Sequence, residues 1–238
     1  MLGGTWRERK ALSAVSSASK AVDGREVVLT CKGVSTYTPD EVWTTRRTGD
    51  HWYDAQADWA VQRLTGKGKC LVIGSPIFEA MELEARGWDV FYLDVRKPPK
   101  EIKQYVVGDA TDLPFPDESF DAVSTTCVIC HVGHGRYGDP IVPDGDVKML
   151  NGIGRVLKPG GRAAVSFGPV SSVFKGVVRV EYSQRVYSVG EAGRMAKEAG
   201  LEVKEIAVFD TKENSWHVRL PPDYLLDRFY LSTLLVKP

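Results

Sequence analysis

Several positions in this sequence hold residues that could grip a nucleoside and work on a molecule bound beside it. Gly74 and Asp94 stand 20 residues apart. One helix and one strand of ordinary length fill that gap and return the carboxylate to the glycine turn. There it can accept hydrogen bonds from both hydroxyls of a ribose. The same charge repels a phosphate, so Asp94 suits a nucleoside with free hydroxyls; its plainer role is a solvated strand end. Asp109 closes the next apolar run. Further on, His131-Val132-Gly133-His134-Gly135-Arg136-Tyr137-Gly138-Asp139 gathers His131, His134, Tyr137 and Asp139 as acid–base candidates. Imidazole titrates near neutral pH and suits removal of a proton from an oxygen or nitrogen. Arg136 could neutralise an anionic substrate or simply pair with Asp139. Arg185 and Tyr187 could reach over the same pocket.

Two apparent motifs narrow the chemistry. The turn Gly74-Ser75-Pro76-Ile77-Phe78 lacks the further glycines of a dinucleotide fingerprint, which disfavours a pyrophosphate cradle and hence NAD or FAD. Ser75 as helix cap and Pro76 at the first helical position are good local choices. Cys127-Val128-Ile129-Cys130-His131 matches the haem attachment pattern C-x-x-C-H. Haem attachment needs export, and the apolar run there reads as a core strand. Zinc through Cys127, Cys130, His131 and His134 has suitable ligand types, but they crowd one strand end. Buried thiols are the preferred reading, with no metal expected.

The elements that must position these residues begin at Lys69. Apolar runs at Cys70–Ile73, Val90–Leu93, Tyr105–Val107, Phe120–Val128 and Arg162–Phe167 alternate with helical spacings. The helical spacings are Ile77, Phe78, Met81 and Ala85, then Val147, Leu150, Ile153 and Leu157. Gly87 is a natural stop, and Lys158-Pro159-Gly160-Gly161 reads as a turn. Strands apolar on both faces and separated by helices predict a parallel α/β sheet covered on each side. Ser188 with Glu191 predicts a capped helix to about Gly200. Leu201–Phe209 and Leu225–Val236 then predict a closing antiparallel pair. The head is less regular: Trp6 to Lys20 is a weak helix, Glu26–Cys31 a short strand and Val34–Gly49 a loop. Asp50 caps a helix whose apolar stripe is Trp52, Ala55, Trp59, Ala60 and Leu64.

Composition bounds the function. Lys plus Arg and Asp plus Glu are both 31, and the zero net charge argues against a dedicated polyanion binder. No apolar run approaches the roughly 18 residues of a membrane-spanning helix. The first ten residues, with Arg7, Glu8, Arg9 and Lys10, do not read as a signal peptide. With 4 cysteines in a chain of ordinary globular composition, a reducing, cytoplasmic setting is expected.

The run Gly108-Asp109-Ala110-Thr111-Asp112-Leu113-Pro114-Phe115-Pro116-Asp117-Glu118-Ser119-Phe120-Asp121 resembles the third-to-fourth strand region of class I S-adenosylmethionine-dependent methyltransferases. Arg155-Val156-Leu157-Lys158-Pro159-Gly160-Gly161-Arg162 resembles the turn into their fifth strand. The segment His131 to Pro140 is similar to a poorly characterised branch catalogued as a domain of unknown function. The resemblance covers about Asp50 to Pro238, so 1–49 is expected to be an N-terminal extension and 50–238 a methyltransferase-like domain. It implies a Rossmann-like, doubly wound sheet of seven strands, mostly parallel with a C-terminal antiparallel hairpin. It also implies S-adenosyl-L-methionine as cofactor: Gly74 and Ser75 against its methionine part, Asp94 on the ribose, Asp109 and the backbone of Ala110 at the adenine. Val72 departs from the family's acidic residue two before the first glycine, and Ser75-Pro76-Ile77 departs from its G-x-G. The implied reaction is methyl transfer to an O or N acceptor, a small molecule or saccharide.

Two other readings stay open. The degraded glycine turn suits a methyltransferase-like scaffold or partner subunit without catalysis. Arg7, Arg9, Lys10, Lys20, Arg46 and Arg47 in the extension would suit a nucleic-acid methyltransferase, though a solvated surface is the preferred reading of them.

Overall fold

Cys70-Leu71-Val72-Ile73 contains no charged or strongly polar side chain, and the strand it forms is buried on both faces. Cys70 and Val72 point into one apolar cluster, Leu71 and Ile73 into another. This period-two division is what a sheet between two helical layers requires. The computed structural model describes residues 15–22, 26–31, 51–98, 100–170, 177–180, 184–218 and 228–238.

The strands are β1 (Val15–Val22), β2 (Glu26–Cys31), β3 (Gly68–Ile73), β4 (Trp88–Asp94), β5 (Tyr105–Val107), β6 (Phe120–Thr125), β7 (Leu157–Pro169), β8 (Val177–Val180), β9 (Gln184–Tyr187), β10 (Glu202–Asp210), β11 (Ser215–His217) and β12 (Phe229–Val236). The helices are α1 (His51–Arg63), α2 (Ile77–Ala85), α3 (Gly145–Val156) and α4 (Val189–Glu198).

The main sheet has the order β11-β10-β12-β7-β6-β3-β4-β5. Strands β5, β4, β3, β6 and β7 run parallel, and β12 is antiparallel to both β7 and β10. The expected doubly wound arrangement is present, with an eighth strand, β11, on the edge of β10. Helices α1 and α2 cover one face through Trp59, Ala60, Ile77, Ala80 and Leu83, with Leu64 just beyond α1. Helices α3 and α4 cover the other through Met149, Leu150, Ile153, Ala192 and Met195. Met81, expected on the apolar stripe of α2, is instead 46% exposed, because the helix turns Ala80 and Leu83 inward.

Several boundaries differ from the sequence reading for local reasons. The strand from Phe120 stops at Thr125, and Cys127 adopts a left-handed φ of 55° that ends the extended run. The Lys158–Gly161 turn bulges out within β7: Phe120 pairs with Leu157, and Ala122 already pairs with Arg162. Ser75 does not cap α2; Pro76 occupies the cap position and the helix starts at Ile77. The Ser188 cap of α4 is present, its side chain accepting from the Glu191 amide at 3.2 Å.

In the head, Val15–Val22 is a strand where a helix to Lys20 was expected. It pairs antiparallel with β2, and β2 pairs parallel with β8. With β9 they form a second sheet of order β1-β2-β8-β9. The first part of the expected helix, the Val34–Gly49 loop, the Asp50 cap and most of the basic cluster lie outside the described residues. The β8–β9 hairpin had no counterpart in the sequence reading. The glycines inside α3 have a packing reason: a Cβ on Gly154 would lie 2.3 Å from the Ala199 carbonyl oxygen at the end of α4.

Candidate active site

The chain leaves β3 toward β4 on one side and returns through β6 on the other. Their carboxyl ends therefore frame the crevice where doubly wound sheets bind ligands. Gly74 has a φ of 60°, and its amide donates to the Leu93 carbonyl at 2.8 Å. A Cβ there would meet the two γ-methyls of Val128 at 3.0 and 3.1 Å, so the turn after β6 packs directly on the glycine. Ser75 is buried and ties the two turns together: its Oγ accepts from the Thr126 amide at 2.8 Å, and its carbonyl accepts from the Tyr92 hydroxyl.

Asp94, at the end of β4, is 4% exposed. Its Oδ1 accepts from the backbone amide and the Nε of Arg96, both at 2.9 Å, and Oδ2 accepts from the same guanidinium at 2.8 Å. A ribose diol at Asp94 has to replace that guanidinium. Asp109 is half-buried, with Oδ1 accepting from the Thr111 amide at 2.8 Å, and Ala110 beside it is buried. Acceptors of the type a nucleoside needs therefore stand at the ends of β4 and β5. Val72 is fully buried in the core, and the acid close to the glycine turn is Glu79, on α2.

The segment after β6 folds back to the same end of the sheet. The Arg96 guanidinium lies 4.8 Å from the centre of the Tyr137 ring, and that of Arg136 lies 5.4 Å from it. His131 meets Tyr137 edge-on at 5.9 Å. Arg136 Nη1 is 3.3 Å from His131 Nδ1; guanidinium can only donate, so Nδ1 accepts and the imidazole proton sits on Nε2. Burial pushes the Tyr137 hydroxyl above its ordinary range, against the pull of Arg136 and Arg96, and keeps it a donor at neutral pH. His131, Arg136, Tyr137 and Asp94 are thus brought together, with Arg96 as the link that sequence reasoning missed. Its signal was its position two residues beyond the strand-end aspartate.

Other expected site residues have structural work. Asp139 accepts from the amides of Gly133, Gly135 and Tyr137 at 2.9, 3.2 and 3.0 Å, which shapes the loop and engages both carboxylate oxygens. His134 is 3% exposed and bridges to Ile141 within that loop. Arg185 and Tyr187 do not reach a ligand surface. Arg185 is fully buried, donates to the carbonyls of Val132 and Pro143 at 2.6 and 2.7 Å, and has Nε 3.5 Å from Asp146. Tyr187 is also fully buried and donates to Asp146 at 3.2 Å. Together they pin β9 to α3 and to the base of the loop.

On the other side of the crevice, α1 contributes Gln56. Its Oε1 accepts from Ser166 on β7 and from the Cys127 thiol at 3.4 Å. Burial pushes Cys127 up to about 12, and raises Cys130 as well, so both are neutral thiols rather than nucleophiles. Among the described residues, the acidic and imidazole donors that come within 4.8 Å of one another are those of Asp210, Glu213 and His217. The Arg228 guanidinium already neutralises Asp210 there.

Residues 77–165 match the family model described as a methyltransferase domain. The chain is 45% identical over 58 residues to the 2-phytyl-1,4-naphtoquinone methyltransferase of Synechococcus elongatus, covering 24% of this chain and 20% of that one. It is 41% identical over 76 residues to the demethylmenaquinone methyltransferase of Clavibacter sepedonicus, covering 31% and 26%. The matched segment thus spans about a fifth to a quarter of those relatives' length. Among solved structures, the Burkholderia thailandensis 1,6-didemethyltoxoflavin-N1-methyltransferase superposes with a TM-score of 0.60 over 80% of each chain, at 14% identity. A methyltransferase-like protein from Bacillus halodurans superposes at 0.56 over 78% of this chain and 98% of its own, at 15% identity. The fold is that of S-adenosylmethionine-dependent methyltransferases. The matched methyltransferase domain, residues 77–165, takes up 89 of the 238 residues of the chain.

Proposed function

We propose that the protein transfers a methyl group from S-adenosyl-L-methionine to an oxygen or nitrogen of a small molecule. The observation that carries this reading is the buried Asp94 at the end of β4, beside the β3–β6 crevice of a methyltransferase fold. Gly74, Ser75, Asp94, Asp109 and Ala110 would hold the cofactor, whose chemistry is an electrophilic methyl on a good leaving group. The chain then has to align the acceptor, exclude water and remove one proton. His131 is the candidate base: Nδ1 carries the lone pair, and an acceptor hydroxyl or N–H would take the place Arg136 now occupies. Arg136 and Arg96 stabilise negative charge on the acceptor as its proton leaves, and Tyr137 offers its ring as a stacking wall. The quinone substrates in the names of the relatives, and the didemethyltoxoflavin in that of the solved structure, support a small-molecule acceptor over a saccharide or nucleic acid.

Isothermal titration with S-adenosylhomocysteine tests this. Binding that Asp94→Asn weakens about tenfold or more is expected, since the amide can no longer accept on both atoms. No heat at high micromolar ligand would refute it. A catalytically silent scaffold is the second reading, favoured by Val128 packed on Gly74 and by Arg96 on Asp94. It predicts no binding for Asp94→Asn to weaken.

A further inference from the structure

Glu79 is the third residue of α2, and its side chain is fully buried against the sheet. Ser124 on β6 donates to Oε1 at 2.5 Å. The Ser75 and Thr126 hydroxyls stand near enough to favour the charged form, yet Oε2 has no hydrogen-bond partner among the described residues. The hydroxyls of Thr125 and Thr126 are likewise buried without a partner there. The titratable groups facing Glu79 are Glu82 on its own helix, Tyr53 from α1, Cys70 from β3 and Cys127 after β6. Each is neutral or negative. Among the described residues no lysine, arginine or histidine pairs with Glu79.

A buried carboxylate without a cation is strongly unfavourable and takes up a proton instead. Burial accordingly pushes Glu79 up to about 7, against the opposing hydroxyls. Such a group is poised to ionise when a positive charge arrives. The place where one can arrive is close by. Ser75 and Thr126, which border Glu79, are also the first residues beyond the glycine turn of β3 and the end of β6.

We infer that Glu79, with Ser75 and Thr126 beside it, is the counter-charge for a cationic ligand seated at the ends of β3 and β6. This rests on the methyltransferase reading: the cation is S-adenosylmethionine, whose sulfonium charge is lost in S-adenosylhomocysteine. Glu79 acts as a positioning residue, without touching the reacting atoms. Its carboxyl releases a proton to solvent as the sulfonium binds, and it takes one back once the neutral thioether product replaces it. The site therefore holds the substrate form of the cofactor more tightly than the spent form.

Titration calorimetry of the full chain in phosphate and in Tris, which differ in ionisation enthalpy, tests this near pH 7. The wild type is expected to release about half a proton on binding S-adenosylmethionine, as a group half-titrated near that pH must. Glu79→Gln mimics the protonated acid and should keep the fold. It should release none and bind S-adenosylmethionine about tenfold more weakly, while binding S-adenosylhomocysteine within about threefold of wild type. Ser124→Ala removes the donor to Oε1, raises the carboxyl further and should move proton release to higher pH. Wild-type binding without proton release, or an unchanged ratio of the two affinities in Glu79→Gln, overturns the inference and leaves the methyltransferase reading intact. Failure of the wild type to bind either ligand overturns both.

Discussion

Replacing Glu79 by glutamine should remove one component of the pH dependence of folding. In the folded chain without ligand, burial raises this carboxyl from 4.5 to about 7. In the unfolded chain it returns to the ordinary carboxylate range. Between the two values the folded protein holds a proton that the unfolded chain has lost. The stability this group contributes is therefore complete below about pH 4.5 and declines as pH rises, until above about 7 both states are ionised and the slope ends. At about 1.4 kcal/mol per pH unit, that interval amounts to on the order of 3 kcal/mol. Glutamine keeps the shape and still accepts from Ser124, but it cannot ionise. Urea unfolding of both proteins at about pH 5, 6, 7 and 8, without ligand, should show the variant gaining on the wild type by on the order of 3 kcal/mol across the series. Asp121 and Asp210 act in the opposite sense: burial raises each, but Lys158 and Arg228 outweigh it and hold them below the ordinary range. Their effect falls at more acid pH and cancels in the difference. A wild-type-minus-variant difference that stays constant with pH would refute the reasoning.

Three further outcomes follow from the geometry. Arg96→Ala leaves the buried Asp94 carboxylate without its guanidinium, so the ligand-free protein should lose about 1–3 kcal/mol and S-adenosylhomocysteine should raise Tm by more than in the wild type; an equal Tm gain in both proteins means Arg96 does not compete with the ligand for Asp94, the proposed ribose partner. Gly154→Ala improves helix propensity by roughly 0.5–1 kcal/mol, yet the new methyl would lie 2.3 Å from the Ala199 carbonyl oxygen, and a net loss of about 1–3 kcal/mol is expected; a higher Tm would contradict that close approach. Arg185→Met takes the guanidinium from beside the buried Asp146 and its donors from the Val132 and Pro143 carbonyls, so denaturant unfolding should show a loss of about 3–5 kcal/mol; full stability with weakened acceptor binding would restore Arg185 to the substrate site.

The parallel strands and most of their helices were legible because each is a local apolar run or stripe, and the burial that selects such runs acts residue by residue. The head was not. Val15–Val22 is rich in serine and too weakly patterned to declare itself; it is a strand through its pairing with β2, which in turn pairs with β8 across about 150 residues of chain. The short β8–β9 hairpin escaped for the same reason. Within the site, Asp94 and the His131–Asp139 segment could be found because a strand end followed by a polar residue is a local signature. The division of labour among them could not. In sequence Asp139 stands beside His131 as a candidate and Arg185 as a weaker one, and only the packed structure shows their bonds to loop amides and carbonyls.

The sequence by itself determined the parallel sheet, the carboxylates at the ends of β4 and β5, and the methyltransferase resemblance, since all three reside in contiguous motifs. The tertiary structure alone decided which charges are compensated. Asp94 is held by Arg96, Asp146 by Arg185 and Asp210 by Arg228, while Glu79 faces hydroxyls and other acids. Electrostatic energy depends on distance and burial in space, and neither can be read from a helix heptad or a strand alternation. That is why an unremarkable glutamate in the first turn of α2 became visible only once α1, β3 and β6 were packed around it.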